Sequence, residues 1–188
     1  MKNHKLSKLL LASVISSLTV PTFAQQLEEV VVTASKRAEN LQDIPQAVTA
    51  FSSERLVELG IVETSDLMGA VPNIQVTSAY GRTQPNFSIR GISVANEFSA
   101  ATASPVGVYV DEVYQSFRAS HGQQLFDLES VEVLRGPQGT LYGRNTTGGA
   151  VNVNTIKPSL GEGASGFLNV RLGNYSYTDI TGAVEATI

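Results

Sequence analysis

The chain has 188 residues, no cysteine, no tryptophan and two histidines, with 13 basic against 17 acidic residues. That length suits one ordinary domain with a core. The cysteine count excludes disulfides, thiolate metal sites and thiol nucleophiles, and the acidic balance without a basic patch excludes strong nucleic-acid binding.

The first residues read as a secretory leader. Lys2, Lys5 and Lys8 make a positive start, Leu9 to Val20 an apolar stretch, and Thr22 and Ala24 place small residues at a cleavage site. The pattern predicts a signal peptide over 1–24, cut after Ala24. The apolar run is short of the ~20 residues a membrane span needs. Cleavage removes three lysines and leaves ten basic against seventeen acidic residues, a net charge of −7. A flexible tail is predicted over 25–39. Within it "LEEVVVTASKR" carries a short β-prone run, Val30 to Thr33, between acidic and basic flanks. It reads either as the first strand of the domain or as a loose segment on which another protein's sheet edge pairs.

A domain is predicted over 40–157. "QAVTAF" is a strand, and Ser52 caps a short helix running to Leu59, with Gly60 at its C-terminal end. Thr64 caps a second helix, with Leu67, Met68 and Val71 on one face and Pro72 as its stop. "NIQVTS", Phe87 to Arg90 and Val106 to Val113 suit strands. Asp111 and Glu112 are adjacent, so in a strand they face opposite ways and make no catalytic carboxylate pair. "QLFDLESVEVLRG" gives a turn of helix and then strand Val131 to Leu134. The last strand has Val151 and Val153 alternating with Asn152 and Asn154. Short strands, short helices and long loops define an α+β domain on a small mixed sheet.

Gly136, Gly139, Gly143, Gly148 and Gly149 crowd the connection between the last two strands. Arg144 and Asn145 stand where a P-loop needs Lys and Ser/Thr, and the spacing does not fit G-x-G-x-x-G. These are structural glycines. The chain has no G-x-S-x-G, S-x-x-K or H-E-x-x-H, so no enzyme, metal or cofactor chemistry is expected. After a linker at 158–165, residues 166–188 alternate apolar with polar in two segments. That is the signature of transmembrane β-barrel strands, and a soluble hairpin shares it.

"FSIRGISV", "GVYVDEVY" and "VEVLRGPQGTLYGRNTTGGAVNVNT" occur in that order, with "EEVVVTA" after the leader. In these motifs the chain resembles the TonB-dependent outer-membrane receptors over essentially its whole mature length. The resemblance implies an α+β plug domain followed by the first two antiparallel strands of a truncated transmembrane β-barrel. The complete barrel of the family has about 22 strands and encloses the plug. Two strands alone would not transport. Such an isolated chain is expected in the periplasm, and the complete receptor in the outer membrane.

The resemblance also assigns residues. Glu28, Glu29, Val30, Val31, Val32, Thr33 and Ala34 form the TonB box, which the periplasmic domain of TonB engages by strand addition, energised by an inner-membrane motor. With cleavage after Ala24 only three residues precede Glu28, so no signalling domain is expected ahead of the box. Arg90 and Arg135 pair with carboxylates of the barrel wall, and Glu132, expected on the strand face of Arg135, joins them; the alternative is an internal Arg135–Glu132 pair. The five glycines let backbone approach the barrel wall. Tyr80, Arg82, Phe98, Phe117 and Arg118 are apical ligand contacts or plain exposed loop residues. The family usually has Gly at the position of Glu112, so a left-handed turn there costs Glu about 1 kcal/mol. The implied activity is energy-dependent uptake of a ferric siderophore, cobalamin, haem or a glycan. A free-standing periplasmic plug-like interaction module without transport activity is the alternative, and it has no need of barrel-type strands after Pro158.

Overall fold

The computed structural model describes residues 31–33, 36–37, 39–42, 44–99, 102–158 and 163–186. The predicted leader, together with Glu28, Glu29, Val30 and Ala34, lies outside the described residues.

The centre of the domain is a five-stranded mixed sheet. In chain order its strands are β3 (Val48–Ser52), β6 (Val106–Val110), β7 (Val113–Tyr114), β8 (Leu128–Arg135) and β9 (Gly149–Thr155). The spatial order is β3-β8-β9-β6-β7, with β6 and β9 parallel and the other neighbours antiparallel. Alternation sends Phe51, Val106, Val108, Val131, Val133, Val151 and Val153 to one side. They are buried there with Leu56, Leu67, Phe87 and Ile89 in the main core. Burying each such side chain stabilises by about 1.5–3 kcal/mol. Phe87 and Ile89 come from a separate antiparallel pair, β4 (Ile74–Thr77) with β5 (Asn86–Ile89).

Several local expectations hold. Helix Ser53–Glu58 is capped by Ser52, whose Oγ accepts from the Arg55 N–H at 3.4 Å, and Gly60 follows with φ +66°. Others are corrected. The second helix is a 3-10 helix, Thr64–Gly69, and Glu63 is its N-cap rather than Thr64. Asp66 accepts from the Val62 and Glu63 N–H groups at 3.0 Å. Thr64 is buried, and its hydroxyl donates to the His121 carbonyl at 2.6 Å. The tight 3-10 winding separates neighbouring side chains, so Leu67 is buried while Met68 is 53% exposed. The helical turn expected over 124–127 is absent: the Leu125 N–H donates to the Val62 carbonyl at 2.7 Å in an extended crossing, and the 3-10 turn before β8 is Arg118–His121.

The strand expected over Val106 to Val113 breaks at Asp111 and Glu112. Both have positive φ, +46° and +66°, in a two-residue hairpin loop between β6 and β7. The Asp111 carboxylate accepts from the Thr155 N–H at 2.9 Å and from its hydroxyl at 2.8 Å, which ties the turn to the end of β9.

The C-terminal hairpin pairs β10 (Ser165–Leu172) with β11 (Thr178–Glu185). Leu168, Val170, Leu172, Ile180 and Val184 share its exposed face. On the other face Arg171 meets Asp179 at 3.9 Å, and the Phe167 ring lies 6.1 Å from that of Phe126 on the domain. The hairpin thus turns its apolar side outward, the reverse of a strand pair packed on a soluble core. No helix among the described residues is long and apolar enough to cross a membrane, which says nothing of crossing by strands.

Candidate functional site

The polar chemistry gathers on the second face of the five-stranded sheet. Register turns Val48 and Ala50 of β3, Glu132 and Leu134 of β8, Ala150 and Asn152 of β9 and Tyr109 of β6 to this side. Val32 and Thr33 of the tail lie on it. Strands β1 (Val31–Val32) and β2 (Glu39–Asn40) pair with each other and not with the main sheet. Val32 is fully buried in a second core with Ile44, Tyr109, Leu134, Tyr142 and Ala150. Tyr109 Oη donates to the Tyr142 carbonyl at 2.6 Å. Burial, then the negative charge of Glu132, pushes the Tyr142 phenol well above its usual range.

Beside Val32, Thr33 reaches Glu132. The Thr33 N–H donates to Oε1 at 2.6 Å, and its hydroxyl donates to the same oxygen at 3.0 Å. Asn152 Nδ2 donates to Oε2 at 3.3 Å. Asn154 Nδ2 donates to Ser130 Oγ at 2.9 Å and to Thr33 Oγ1 at 3.2 Å. Glu132 is completely buried, yet among the described residues no cation pairs with it. A buried carboxylate costs several kcal/mol unless hydrogen bonds satisfy it, and here neutral donors do so. Val32 and Thr33 are therefore docked on this face, one through an apolar and one through a polar side chain, and Val31–Val32 is not a strand of the main sheet.

Among the described residues the expected network of Arg90, Glu132 and Arg135 is not assembled. Glu132 and Arg135 are three positions apart on β8, so they project from opposite faces. The internal Arg135–Glu132 pair is excluded for the same reason. Arg90 does approach the other arginine's neighbour: its Nη1 lies 3.2 Å from where a Cβ on Gly136 would sit. Among the described residues neither Arg90 nor Arg135 has a carboxylate partner, and Arg135 Nε is buried without an acceptor.

The five glycines differ in their reasons. A Cβ on Gly149 would stand 2.3 Å from the Leu134 carbonyl oxygen and 2.8 Å from Ile89, within the domain itself. Gly148 is tight against Ile92 and Val106, and Gly136 and Gly143 have positive φ. Gly139 meets nothing within 4 Å.

The apical candidates separate as well. Tyr80 and Phe98 are exposed and stack edge to face at 6.4 Å, with Tyr80 Oη donating to the Phe98 carbonyl at 3.0 Å. Arg82 is exposed and pairs with Glu63 at 3.4 Å and Asp66 at 3.5 Å. Phe117 is exposed. Arg118 departs from the expectation: it is 3% exposed, and its guanidinium donates to Asn86 Oδ1 at 2.7 Å and to the Glu97 and Ser99 carbonyls. It ties loops together from inside. His121 is buried beside it, with Nε2 against the Gln115 carbonyl at 3.0 Å and Nδ1 unpartnered. Burial holds its imidazole below the usual range.

Asn152, Asn154 and Ser130 were not expected at the site. For the two asparagines the signal is the alternation of Val with Asn along β9, since asparagines two apart share a face.

The fold is that of a receptor plug followed by barrel-type strands. The model described as TonB-dependent Receptor Plug Domain matches residues 40–150, and the chain belongs to that family. It is 34% identical to the pesticin receptor of Yersinia pestis over 138 residues, covering 73% of this chain and 20% of that protein. It is 26% identical to the vitamin B12 transporter BtuB of Vibrio vulnificus (strain YJ016) over 163 residues, 80% of this chain and 25% of that one. The crystal structure of the ferric yersiniabactin uptake receptor FyuA from Yersinia pestis matches with a TM-score of 0.58 at 32% identity, covering 65% of this chain and 18% of that chain. The chain spans about a fifth of the length of the curated relatives it matches.

Proposed function

We propose that this chain gates an outer-membrane importer: a plug over 40–157 sits inside a barrel whose wall begins at residue 166, and it admits one scarce ligand at the expense of energy delivered through TonB. The observation that carries the reading is the hairpin β10–β11. It follows the plug after a short linker, packs its mixed face on Phe126, and presents Leu168, Val170, Leu172, Ile180 and Val184 outward. An outward apolar face on alternating strands suits lipid.

In this reading Glu28 to Ala34 is the segment TonB pairs with by strand addition, and no bond of the ligand is made or broken. Arg90 and Arg135 meet carboxylates of the barrel wall, which is supported by their lack of a partner among the described residues. Tyr80, Phe98, Phe117 and Arg82 remain the exposed candidates for ligand contact. The pesticin receptor, the vitamin B12 transporter and the ferric yersiniabactin receptor among its relatives favour an iron chelate or cobalamin over a glycan.

The test is uptake by cells with and without the gene, each in the presence and absence of TonB. Labelled ferric siderophores, cobalamin, haem and glycans are offered singly. Accumulation of one ligand only when gene and TonB are both present is expected. Entry that persists without TonB contradicts the reading, and recovery of the gene's product in the soluble periplasm favours the free-standing module.

A further inference from the structure

Three consecutive carbonyls of one loop each accept a bond from a side chain of another segment. Arg118 donates to the Glu97 carbonyl at 3.2 Å and to the Ser99 carbonyl, and Tyr80 Oη donates to the Phe98 carbonyl between them at 3.0 Å. The Glu97 carboxylate accepts from the Thr77 hydroxyl at 2.9 Å and from Asn86 Nδ2 at 3.5 Å, while Asn86 Oδ1 accepts from Arg118 Nη1 at 2.7 Å. Strands β4 and β5 and the 3-10 turn Arg118–His121 thus pin residues 97–99, and Phe98 is left 68% exposed. We infer that Arg118 is a positioning residue of the ligand site: it does not touch the ligand but fixes Phe98 against Tyr80, so that the ligand meets a prearranged aromatic pair. The inference rests on the reading of Tyr80 and Phe98 as ligand contacts, and it gives Arg118 an indirect part in place of a direct one.

The arrangement suits positioning better than stability. Arg118 is buried, and among the described residues no carboxylate pairs with it. Its acceptors are the neutral Asn86 amide and two carbonyls, and its Nε has none. Burial of a cation without a counter-ion is unfavourable. Phe98 adds nothing to the core in return: its ring is exposed and meets Tyr80 edge to face at 6.4 Å. A side chain buried at a cost, and fixing an exposed ring, is arranged for what that ring meets. Asn86 joins the clasp to the rigid part of the domain, since it is buried on β5 next to Phe87 of the main core. A ring held in place beforehand loses less freedom when a ligand packs on it.

The chain has no tryptophan, so Phe98→Trp reports on this one position. The anisotropy decay of its indole is recorded in the full chain with Arg118 intact, with Arg118→Lys and with Arg118→Met. A rigid indole beside Arg118 and nanosecond motion beside Arg118→Met are expected. Arg118→Lys should fall between them, because an ammonium keeps the charge but not the fork that spans both carbonyls. Phe126→Trp, on the far side of the domain from the clasp network, is the reference and stays unchanged. An equally rigid indole in all three backgrounds overturns the clasp, as does equal loosening at both positions in Arg118→Met and Arg118→Lys, which is unfolding. Uptake of labelled ferric siderophores, cobalamin, haem and glycans, offered singly, is then titrated in cells whose gene carries Arg118→Met, Phe98→Ala or both. Each single variant should need about tenfold more probe for half-maximal uptake at an unchanged maximal rate, the size of one ordered aromatic contact. The double variant should match Phe98→Ala, since Arg118 acts through Phe98. Additive losses, or no shift in Arg118→Met, overturn the positioning role. A loosened indole with no probe accumulated through the unaltered gene leaves the clasp standing and overturns the uptake reading; uptake with a rigid indole and no shift in Arg118→Met does the reverse.

Discussion

The backbone N–H of Thr33 lies 2.6 Å from Oε1 of Glu132, 99 positions further along the chain. This contact, with Val32 buried beside it, makes Val32 and Thr33 part of the folded domain. Val32→Ala removes two methyl groups from the second core and should cost about 2 kcal/mol in urea unfolding of the full chain. A tail that is loose in solution gives no change in the midpoint.

The turn at Asp111 and Glu112 carries a local cost. Both residues have positive φ, and the Asp111 carboxylate is anchored on Thr155 whereas Glu112 is exposed. Glu112→Gly should therefore stabilise by about 1 kcal/mol. Asp111→Gly should destabilise, because it loses two hydrogen bonds along with the strain. Paired urea melts distinguish the two signs.

Gly149, which opens β9, and Gly139 should respond oppositely to alanine. Gly149 has φ +153° and no room beside the Leu134 carbonyl and Ile89, so Gly149→Ala should cost about 2 kcal/mol or more. Gly139 begins the short helix Gly139–Tyr142 with open space around it. Gly139→Ala should be neutral or stabilise by up to about 1 kcal/mol. Thermal and urea midpoints of the two variants provide the check.

His121 gives the fold a pH dependence of definite sign. Burial depresses its pKa below the ordinary 6.5, and Arg118 adds to the effect against the opposing hydrogen bond with Gln115. The unfolded chain then binds more protons than the folded one below that value, so this contribution is full above about pH 6.5 and falls as pH drops toward the folded pKa. Protonation would place an unpartnered Nδ1–H in the core. Wild type should lose stability between pH 7 and 5, and His121→Gln, which keeps a donor for Gln115, should lose less. Parallel slopes for the two proteins would contradict this.

How far the fold can be read from the sequence depends on how local its causes are. The cap at Ser52, the alternating valines of β8 and β9 and the outward apolar face of the hairpin all follow from neighbours within a few positions. The docking of Thr33 on Glu132 does not, because it depends on which sheet face the tail reaches. The placement of Glu132 beside Arg135 fails on strand parity, and that parity is visible in the numbering. Arg118 resembles any loop arginine until Asn86 and the Glu97 and Ser99 carbonyls close around it from distant loops. Thr64, at the start of the 3-10 turn Thr64–Gly69, is buried and bonded to His121, 57 positions away, which no local pattern reveals.

The most direct measurement is capture of the full chain by the immobilised periplasmic domain of TonB, comparing wild type with Val31→Pro and Val31→Thr. Proline removes one N–H and fixes φ, whereas threonine keeps both the donor and the β preference. Strand addition along Glu28 to Ala34 predicts capture of wild type and Val31→Thr alike, with Val31→Pro weaker by at least about tenfold, the loss of one backbone pairing site. Equal capture of wild type and Val31→Pro would contradict the account.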